Sequence, residues 1–280
     1  MAFGDFHTHT IFSDGLGTVE EMVDGARAKG LLALGISDHS MTPFDLRYCM
    51  RPETNIEQYV PTVREAQKRA RELYNFPLLL GIEWDLGSEI DPACYDYTIG
   101  SVHYIIRKNG EIFPVDSQPE KVFEGIECVF GGNRLDFAKA YFEQVVTHAE
   151  KNKPTFMGHF DLLTKHGTVD EDDEAYLAVA REALAEVIKH VPLIEINMGA
   201  VIRGLRTVPY PHPKFLPLVL ELGGKIILSS DAHHPDKIAF HFSEMLRLLA
   251  DVGFTHVSRL GENGIVEDEI SKLLAENQWG

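Results

Sequence analysis

The sequence predicts an α/β barrel built from parallel strands. Short apolar runs alternate along the chain with segments of helical periodicity, which is typical of βαβ units and a parallel sheet. About seven such units are present, and the first apolar run is followed by TIFSDGLG (residues 10–17) rather than by a GxGxxG fingerprint. The number of units and the missing fingerprint favour a closed barrel over an open, doubly wound sheet.

The size and composition agree with this fold class. The chain has 280 residues, of which 44% are hydrophobic and 25% are charged, as in globular proteins. Barrels of this size are commonly single domains. Because no Pro-, Gly- or Ser-rich linker interrupts the sequence, we expect residues 1–280 to form one domain.

Eight apolar runs are candidate strands. They are rich in Ile, Leu and Val without polar alternation, as expected for strands that are buried on both faces of a parallel sheet. In chain order they lie at residues 3–9, 31–40, 77–85, 97–104, 155–163, 193–199, 225–234 and, more weakly, 254–260.

Five segments between these runs are predicted helices. The first begins with a capping box, in which the side chains of Thr18 and Glu21 accept hydrogen bonds from each other's backbone N–H groups, and it ends at Gly30. The others show helical spacing of their apolar residues. The five segments are residues 18–30, 56–74, 135–152, 173–190 and 241–253.

The charge and the cysteine pattern exclude several classes of partner. The net charge is −17 and the basic residues are scattered, so we expect no nucleic-acid partner. No apolar run reaches the roughly 18 residues of a membrane span, and no signal-peptide pattern is visible, so we expect no membrane association. The three cysteines are widely spaced and odd in number, which indicates a reducing compartment, the cytoplasm.

Side chains of the metal-ligand type follow the predicted strands at their carboxyl ends. In a barrel of parallel strands all these ends meet on one face, so residues about 200 positions apart can share one pocket. His7 and His9, two apart on a strand, point to the same side and can bind one ion. The remaining strand-end residues of this type are Asp38, His39, Glu83, His103, His159, Asp231 and His233.

The other histidines lack this strand-end context. We expect structural or surface roles for His148, His166, His190, His212, His241 and His256. His234 adjoins His233 but points elsewhere, so at most it supports a ligand.

Taken together, these motifs resemble the PHP (polymerase and histidinol phosphatase) family of metal-dependent phosphoesterases. The resemblance spans nearly the whole chain, and its combination of motifs is most similar to the histidinol-phosphate phosphatase branch. It implies a distorted (β/α)7 barrel with a trinuclear metal centre. The motifs, in the family's order, are FHTHT, SDHS, GIEWD, GSVHY, MGHFDLL, EIN and SSDAHHP.

The resemblance also implies which residues hold each of three divalent ions, which could be Zn, Mn or Fe. The first ion would be bound by His7, His9, Glu83 and Asp231. The second would share Glu83 and add His103 and His159. The third would be bound by His39, His233 and Asp14, and many family members carry histidine at the position of Asp14.

The implied activity is hydrolysis of L-histidinol phosphate to L-histidinol and phosphate, a step of histidine biosynthesis. A hydroxide bridging the metals, held by Glu83, Asp231, His103 and His159, would attack the phosphorus. Asp161 is a candidate acid. Arg203 and Arg206 are candidate phosphate ligands because the planar guanidinium matches a phosphate edge. The segments 40–54 and 85–91 are long enough to shape the substrate pocket.

Three alternatives remain open at this point. The same chemistry could act on nucleotides or nucleic-acid ends instead of a small amino-alcohol phosphate. The barrel could bind metals without turnover, although all nine ligand positions hold competent ligands. An amidohydrolase-type barrel also begins with His-x-His, but nine ligands fit three metals better than one or two. The sequence does not fix the oligomeric state.

Overall fold

Eight parallel strands form the centre of the molecule. The computed structural model describes residues 3–51, 53–261 and 264–276. The strands are β1 (Gly4–Asp5), β2 (Ala33–Ile36), β3 (Leu78–Asp85), β4 (Tyr97–Ser101), β5 (Tyr104–Ile106), β6 (Ile112–Pro114), β7 (Phe156–Met157), β8 (Leu193–Asn197), β9 (Lys225–Ser229), β10 (His256–Gly261) and β11 (Gly264–Glu269). The main sheet has the order β1-β2-β3-β4-β7-β8-β9-β10-β11, in which only β11 is antiparallel to its neighbour, and β5 and β6 form a separate hairpin.

Helices cover the outer face of this curled sheet. Helix α1 has the predicted capping box between Thr18 and Glu21. A π-helical turn, Thr54–Tyr59, precedes α2. The helices are α1 (Val19–Ala28), α2 (Val60–Tyr74), α3 (Pro119–Phe130), α4 (Arg134–Asn152), α5 (Glu174–His190), α6 (Gly199–Ile202), α7 (Leu216–Glu221), α8 (Phe242–Val252) and α9 (Ile270–Glu276).

The sheet closes on itself where its two ends meet. Strand β10 pairs with β9 through Ser258 and Ile227 at the lower part of the barrel. Above it, the segment after β1 pairs directly with the segment after β9 through a parallel bridge between Thr8 and Ala232. The wall is therefore continuous at the carboxyl ends of the strands, which is the face that carries the site.

An apolar layer fills the interior of the barrel beneath this face. It takes a buried side chain from each parallel strand or from the residue next to it. The Tyr97 ring lies across the interior, and its hydroxyl donates to the carbonyl oxygen of Phe6 at 2.7 Å. A Cβ atom at Gly35 or at Gly81 would come within 2.2 Å of Tyr97, so glycine is required at both positions. This layer is the base on which the polar site rests.

The structure confirms the predicted fold class, a barrel-like α/β fold with parallel strands. All eight predicted strands and all five predicted helices are present. The run predicted over 97–104 is divided, because β4 ends at Ser101 and β5 begins at Tyr104. That residues 1–280 form one domain stays a prediction.

The sequence did not predict helices α3, α6, α7 and α9 or strands β6 and β11. Helix α3 begins with Pro119 and is followed by Gly131 in the left-handed conformation, both of which are helix-boundary signals. Gly125 in its middle weakened the helical pattern. The glycine is there because a Cβ at this position would meet the Phe113 ring at 2.0 Å. Tertiary packing against Phe113, rather than helix propensity, therefore explains why position 125 is glycine.

None of the helices in the described part of the chain is long and apolar enough to span a membrane.

We predict that Asp5 is essential for closure of the barrel. Its buried carboxylate accepts hydrogen bonds from Ser230 N and Oγ and from Ala239 N at 2.5 to 3.1 Å, which ties β1 to the chain after β9. Asp5→Ala leaves these buried donors without partners, so the free energy of unfolding in urea should fall by about 3 kcal/mol.

Asp24→Ala is the matched control. Asp24 is exposed and pairs with the partly exposed Arg27, so its loss should change stability by less than about 0.5 kcal/mol. Equal losses for the two variants would contradict the closing role of Asp5.

Candidate metal centre

The first cluster of ligand-type side chains surrounds one oxygen of Glu83, at the end of β3. Glu83 Oε2 lies 3.3 Å from His7 Nε2 and 3.6 Å from His9 Nε2. Asp231 Oδ1 lies 3.2 Å from His9 Nε2 and 3.9 Å from His7 Nε2. All four side chains are buried. The structure therefore brings together the pair at the start of the chain and the carboxylate that follows β9.

The second cluster surrounds the other oxygen of the same carboxylate. Glu83 Oε1 lies 2.7 Å from His159 Nε2 and 3.4 Å from His103 Nε2. Asp85 accepts hydrogen bonds from the backbone N–H and from Nδ1 of His103, both at 3.0 Å. The ring is thereby oriented with Nε2 toward Glu83. A carboxylate shared in this way can hold two cations close together.

The third cluster lies at the outer rim of the site. Asp14 Oδ2 is 3.2 Å from His233 Nε2, and Asp14 Oδ1 is 3.6 Å from His39 Nε2. His39 also reaches the first cluster, because its Nδ1 is 2.7 Å from Glu83 Oε2. The His9 ring stacks on His233 with a centroid distance of 4.2 Å. Asp14, about one third exposed, is the most accessible of these ligand-type residues.

Glu195 is a buried functional residue that sequence reasoning missed. It belongs to the EIN motif on β8, and it accepts hydrogen bonds from His7 Nδ1 at 2.6 Å and from the backbone N–H of His159 at 2.8 Å. Donation by Nδ1 leaves the lone pair of His7 on Nε2, which faces Glu83. Such outer hydrogen bonds fix the tautomer and the orientation of metal-binding imidazoles.

The site has the properties required for metal binding. The Nε2 atom of His7 and both ring nitrogens of His9 are buried and have no hydrogen-bond partner in the described part of the chain. Unpartnered buried nitrogens are costly unless a ligand satisfies them. The His and carboxylate groups form four overlapping sets whose ligand atoms lie within 4.8 Å of one another. Imidazole and carboxylate ligands in such sets suit divalent metal ions.

The carboxylates of the site stay ionised, and they outweigh the effect of burial and raise the pKa values of His7 and His39, which must lose a proton when a metal binds. Burial alone would raise the pKa of Glu83, but the surrounding histidines lower it well below its usual value. Burial would likewise raise the pKa of Asp231, and Arg203 and His7 lower it instead. Burial lowers the pKa of His9 to about 3, with the charges of neighbouring histidines adding to the effect. Ionised carboxylates and a neutral imidazole are the forms that bind metals.

The clusters form the floor of a cavity of about 670 Å³. Asp45, Arg47 and Tyr48 contribute to its wall, so the predicted segment 40–54 does shape the pocket. No described residue of the segment 85–91 lines it. His166, for which we expected a structural or surface role, also lies on the wall. Other wall residues that the sequence did not indicate are Tyr104, Asp116, Gln118, Leu162, Lys165 and Leu205.

The two candidate phosphate ligands have different surroundings. Arg203 lines the cavity, and its guanidinium donates to Asp231 Oδ2 at 3.2 Å. Arg206 is not among the described residues of the wall. Its guanidinium is nearly buried and donates to Glu171 Oε1 at 2.7 Å and to Thr164 Oγ1 at 2.6 Å. The geometry therefore favours Arg203 for phosphate and gives Arg206 a structural role.

Asp161, the candidate acid, lies behind the cavity wall. Its Oδ2 accepts a hydrogen bond from the backbone N–H of His212 at 2.9 Å, and the side chain is fully buried. Burial raises the pKa of Asp161 to about 7, although Arg206 opposes the shift. A pKa near neutrality suits an acid, but Asp161 is absent from the described residues that line the cavity. Its position does not favour direct proton transfer to a substrate.

Fold and site together define an α/β barrel that carries side chains suited to metal ions at the carboxyl ends of its strands. A family model of the PHP domain matches residues 5–199. The chain belongs to the PHP domain family. The match begins at Asp5, two residues before the first ligand-type side chain, and ends just after β8.

Three relatives are similar to this chain in sequence, two of them over most of its length. A candidate histidinol-phosphatase of Schizosaccharomyces pombe is 23% identical over 94% of this chain and 90% of its own length. A second one, of Deinococcus radiodurans, is 28% identical over 89% and 93%. The histidinol-phosphatase of Saccharomyces cerevisiae is 26% identical over 56% of this chain and 52% of its own.

Two solved structures share the fold. The candidate histidinol phosphatase of Listeria monocytogenes superposes with a TM-score of 0.74, 23% identity, and coverage of 86% of this chain and 99% of its own. The histidinol phosphate phosphatase of Lactococcus lactis, solved with Zn, L-histidinol and phosphate, has a TM-score of 0.63, 17% identity, and coverage of 94% and 98%.

We predict that Glu195 tunes metal affinity although it lies outside the ligand clusters. Glu195→Gln weakens the hydrogen bond from His7 Nδ1, so affinity for Zn²⁺ should fall about 10- to 100-fold. Calorimetric titration of metal-stripped protein measures the change. Glu267→Gln is the control, since Glu267 pairs with Lys225 on the far side of the sheet. Unchanged affinity in Glu195→Gln would refute the prediction.

We further predict that Arg206 contributes to stability more than Arg203 does. Arg206→Met removes charged hydrogen bonds from a nearly buried side chain, so the free energy of unfolding should fall by about 2 kcal/mol. Arg203→Met removes a partly exposed side chain and should cost less. Chemical denaturation of both variants tests this order, and a larger loss in Arg203→Met would contradict it.

Proposed function

We propose that this chain is a phosphomonoesterase that depends on divalent metal ions. It hydrolyses L-histidinol phosphate to L-histidinol and inorganic phosphate, which is a step of histidine biosynthesis. The main observation in support is the set of ligand clusters around Glu83, which lies on the floor of a cavity that Arg203 also lines. The relatives named as histidinol-phosphatases support the choice of substrate. The Lactococcus lactis structure supports the choice of ligands, because it contains Zn, L-histidinol and phosphate.

Three ions, of Zn, Mn or Fe, fit the ligand clusters. We assign His7, His9, Glu83 and Asp231 to the first ion, Glu83, His103 and His159 to the second, and Asp14, His39 and His233 to the third. When bound, such ions neutralise phosphate oxygens and lower the pKa of a coordinated water toward neutrality. Asp14 makes the third site the most exposed of the three.

The chain's own groups orient the ester. Arg203 is held by Asp231 at the edge of the clusters, and its remaining N–H donors can form hydrogen bonds with two phosphate oxygens at once. The Glu83 carboxylate stays ionised between the first two clusters and fixes their spacing. Buried apolar side chains pack under the clusters, and the cavity gives an ester access to them from above. A small phosphomonoester is the partner that these groups fit.

The cytoplasm remains the expected compartment. The described cysteines, Cys49, Cys94 and Cys128, are all unpaired, which agrees with a reducing environment.

One experiment tests the proposal directly. Protein purified without chelators is analysed for metal content and assayed with L-histidinol phosphate, a mononucleotide and a sugar phosphate. We expect bound divalent metal, loss of activity on chelation, recovery on re-addition of metal, and the highest kcat/KM for L-histidinol phosphate. A preference for the mononucleotide or the sugar phosphate would overturn the substrate assignment, and activity that survives complete metal removal would overturn the chemistry.

We predict that Arg203→Met lowers kcat/KM for L-histidinol phosphate by about 10- to 100-fold, because it removes a charged hydrogen-bond donor to the phosphate. Arg206→Met, assayed at a temperature where it is folded, should retain kcat/KM within about threefold. Steady-state kinetics of the two variants distinguish the roles. A larger kinetic defect in Arg206→Met would reverse the assignment.

A further inference from the structure

The wall of the cavity carries two carboxylates outside the ligand clusters, and their surroundings differ. Asp45 is saturated with partners, because it accepts hydrogen bonds from the Arg47 backbone and guanidinium and from the Tyr104 hydroxyl. Asp116 accepts from Lys165 Nζ at 3.1 Å through Oδ2 only. Its other oxygen, Oδ1, has no hydrogen-bond partner in the described part of the chain. Asp116 thus has a free acceptor at the cavity.

The position of Asp116 is fixed from two sides. The preceding residue, Val115, donates its backbone N–H to the carbonyl oxygen of His103 at 2.9 Å, which places the segment beside the second cluster. Lys165, which is 13% exposed, holds the carboxylate from the chain after β7. Asp116 itself is 27% exposed, so it is sheltered but still accessible from the cavity. A carboxylate in this setting is oriented before any ligand arrives.

The same side of the cavity presents an aromatic surface. The Tyr48 ring packs edge-on against His39 at a centroid distance of 4.7 Å. It lies 6.3 Å from the ring of Tyr104 and is nearly parallel to it, at 17°. Burial strongly raises the pKa of Tyr48, so its hydroxyl stays neutral. Flat, neutral rings beside a carboxylate suit an organic cation that carries an aromatic ring.

Arg203 and Asp116, each already paired with one opposite charge, lie on different sides of the ligand clusters and each keep a free hydrogen-bonding group. Arg203 lies against Asp231, at the β9 side of the ligand clusters. Asp116 lies beside His103, at the β4 side. An ester with an anionic phosphate and a cationic alcohol can place each charge against its complement. An ester with an uncharged alcohol leaves the acceptor of Asp116 unsatisfied by the ligand.

We propose that Asp116 is a specificity-determining residue that accepts a hydrogen bond from the ammonium group of the substrate's alcohol. This inference rests on the proposed function, since it concerns the alcohol half of the same ester. Lys165 acts as a positioning residue, which holds Oδ2 and leaves Oδ1 free to accept a hydrogen bond. The pairing selects phosphate esters of amino alcohols over esters of equal size that lack the amine.

The test compares Asp116→Asn with wild type on L-histidinol phosphate and on 3-(imidazol-4-yl)propyl phosphate, which differs only in lacking the amino group. The variant should raise KM for L-histidinol phosphate about 10- to 100-fold, with little change in kcat, because a charged hydrogen bond is lost. Its kinetics on the amine-free ester should stay within about threefold of wild type. Asp24→Asn, at an exposed residue that is not among the described residues lining the cavity, is the control and should leave the ratio of kcat/KM for the two esters unchanged.

A binding measurement separates this inference from the proposed function. Calorimetry with L-histidinol and inorganic phosphate should show about 10-fold or greater weakening of L-histidinol binding in Asp116→Asn, whether or not the ester is turned over. Wild-type protein that binds L-histidinol through Asp116 but hydrolyses no L-histidinol phosphate would refute the function and retain the subsite. Equal defects on both esters, or unchanged L-histidinol binding, would overturn the role of Asp116.

Discussion

A single buried carboxylate, Glu83, determines the arrangement of the site. Removing a carboxylate from water is expensive unless positive charge or hydrogen-bond donors surround it. Glu83 is 1% exposed and has imidazole nitrogens within 3.6 Å of both of its oxygens. Those imidazoles come from several different strand ends, and only a sheet that curls into a barrel brings such ends together. The closure of the barrel and its packed interior hold these strand ends in place, and so they keep the imidazoles around Glu83.

The sequence was sufficient to predict the fold class and most members of the clusters because both depend on regular geometry. Asp14 came from the family resemblance alone, and Asp38, also at a strand end, accepts hydrogen bonds from Thr10 and Ser13 instead. Unbroken apolar runs predict parallel strands, and parallel strands have their carboxyl ends on one face. His7 and Asp231 could therefore be placed in one site without knowledge of any loop. The spacing of two residues between His7 and His9 likewise predicted that both side chains point to the same side of the strand. The structure brings together all nine predicted ligands.

The rest of the site depends on loop paths and buried side-chain directions, which have no regular period. Arg203 and Arg206 are three residues apart, yet one faces the cavity and the other is held by Glu171. Asp161 follows a ligand by two residues, yet it points behind the wall. Glu195 lies within a strand and resembles any buried polar residue until its contact with His7 is seen. Such residues are found from contacts between loops, and these are fixed only by the folded chain.

The closing contact of the barrel also has a consequence for how the molecule assembles. Asp5 and Ser230, which join its two edges, are 225 residues apart in sequence, and the first ligand cluster uses residues from both edges. Contacts of such long range are slow to form, because most of the chain must be ordered before they are gained. During synthesis the early histidines emerge long before Asp231. An ion bound by both edges would then act as a late cross-link, closing a loop that contains most of the chain.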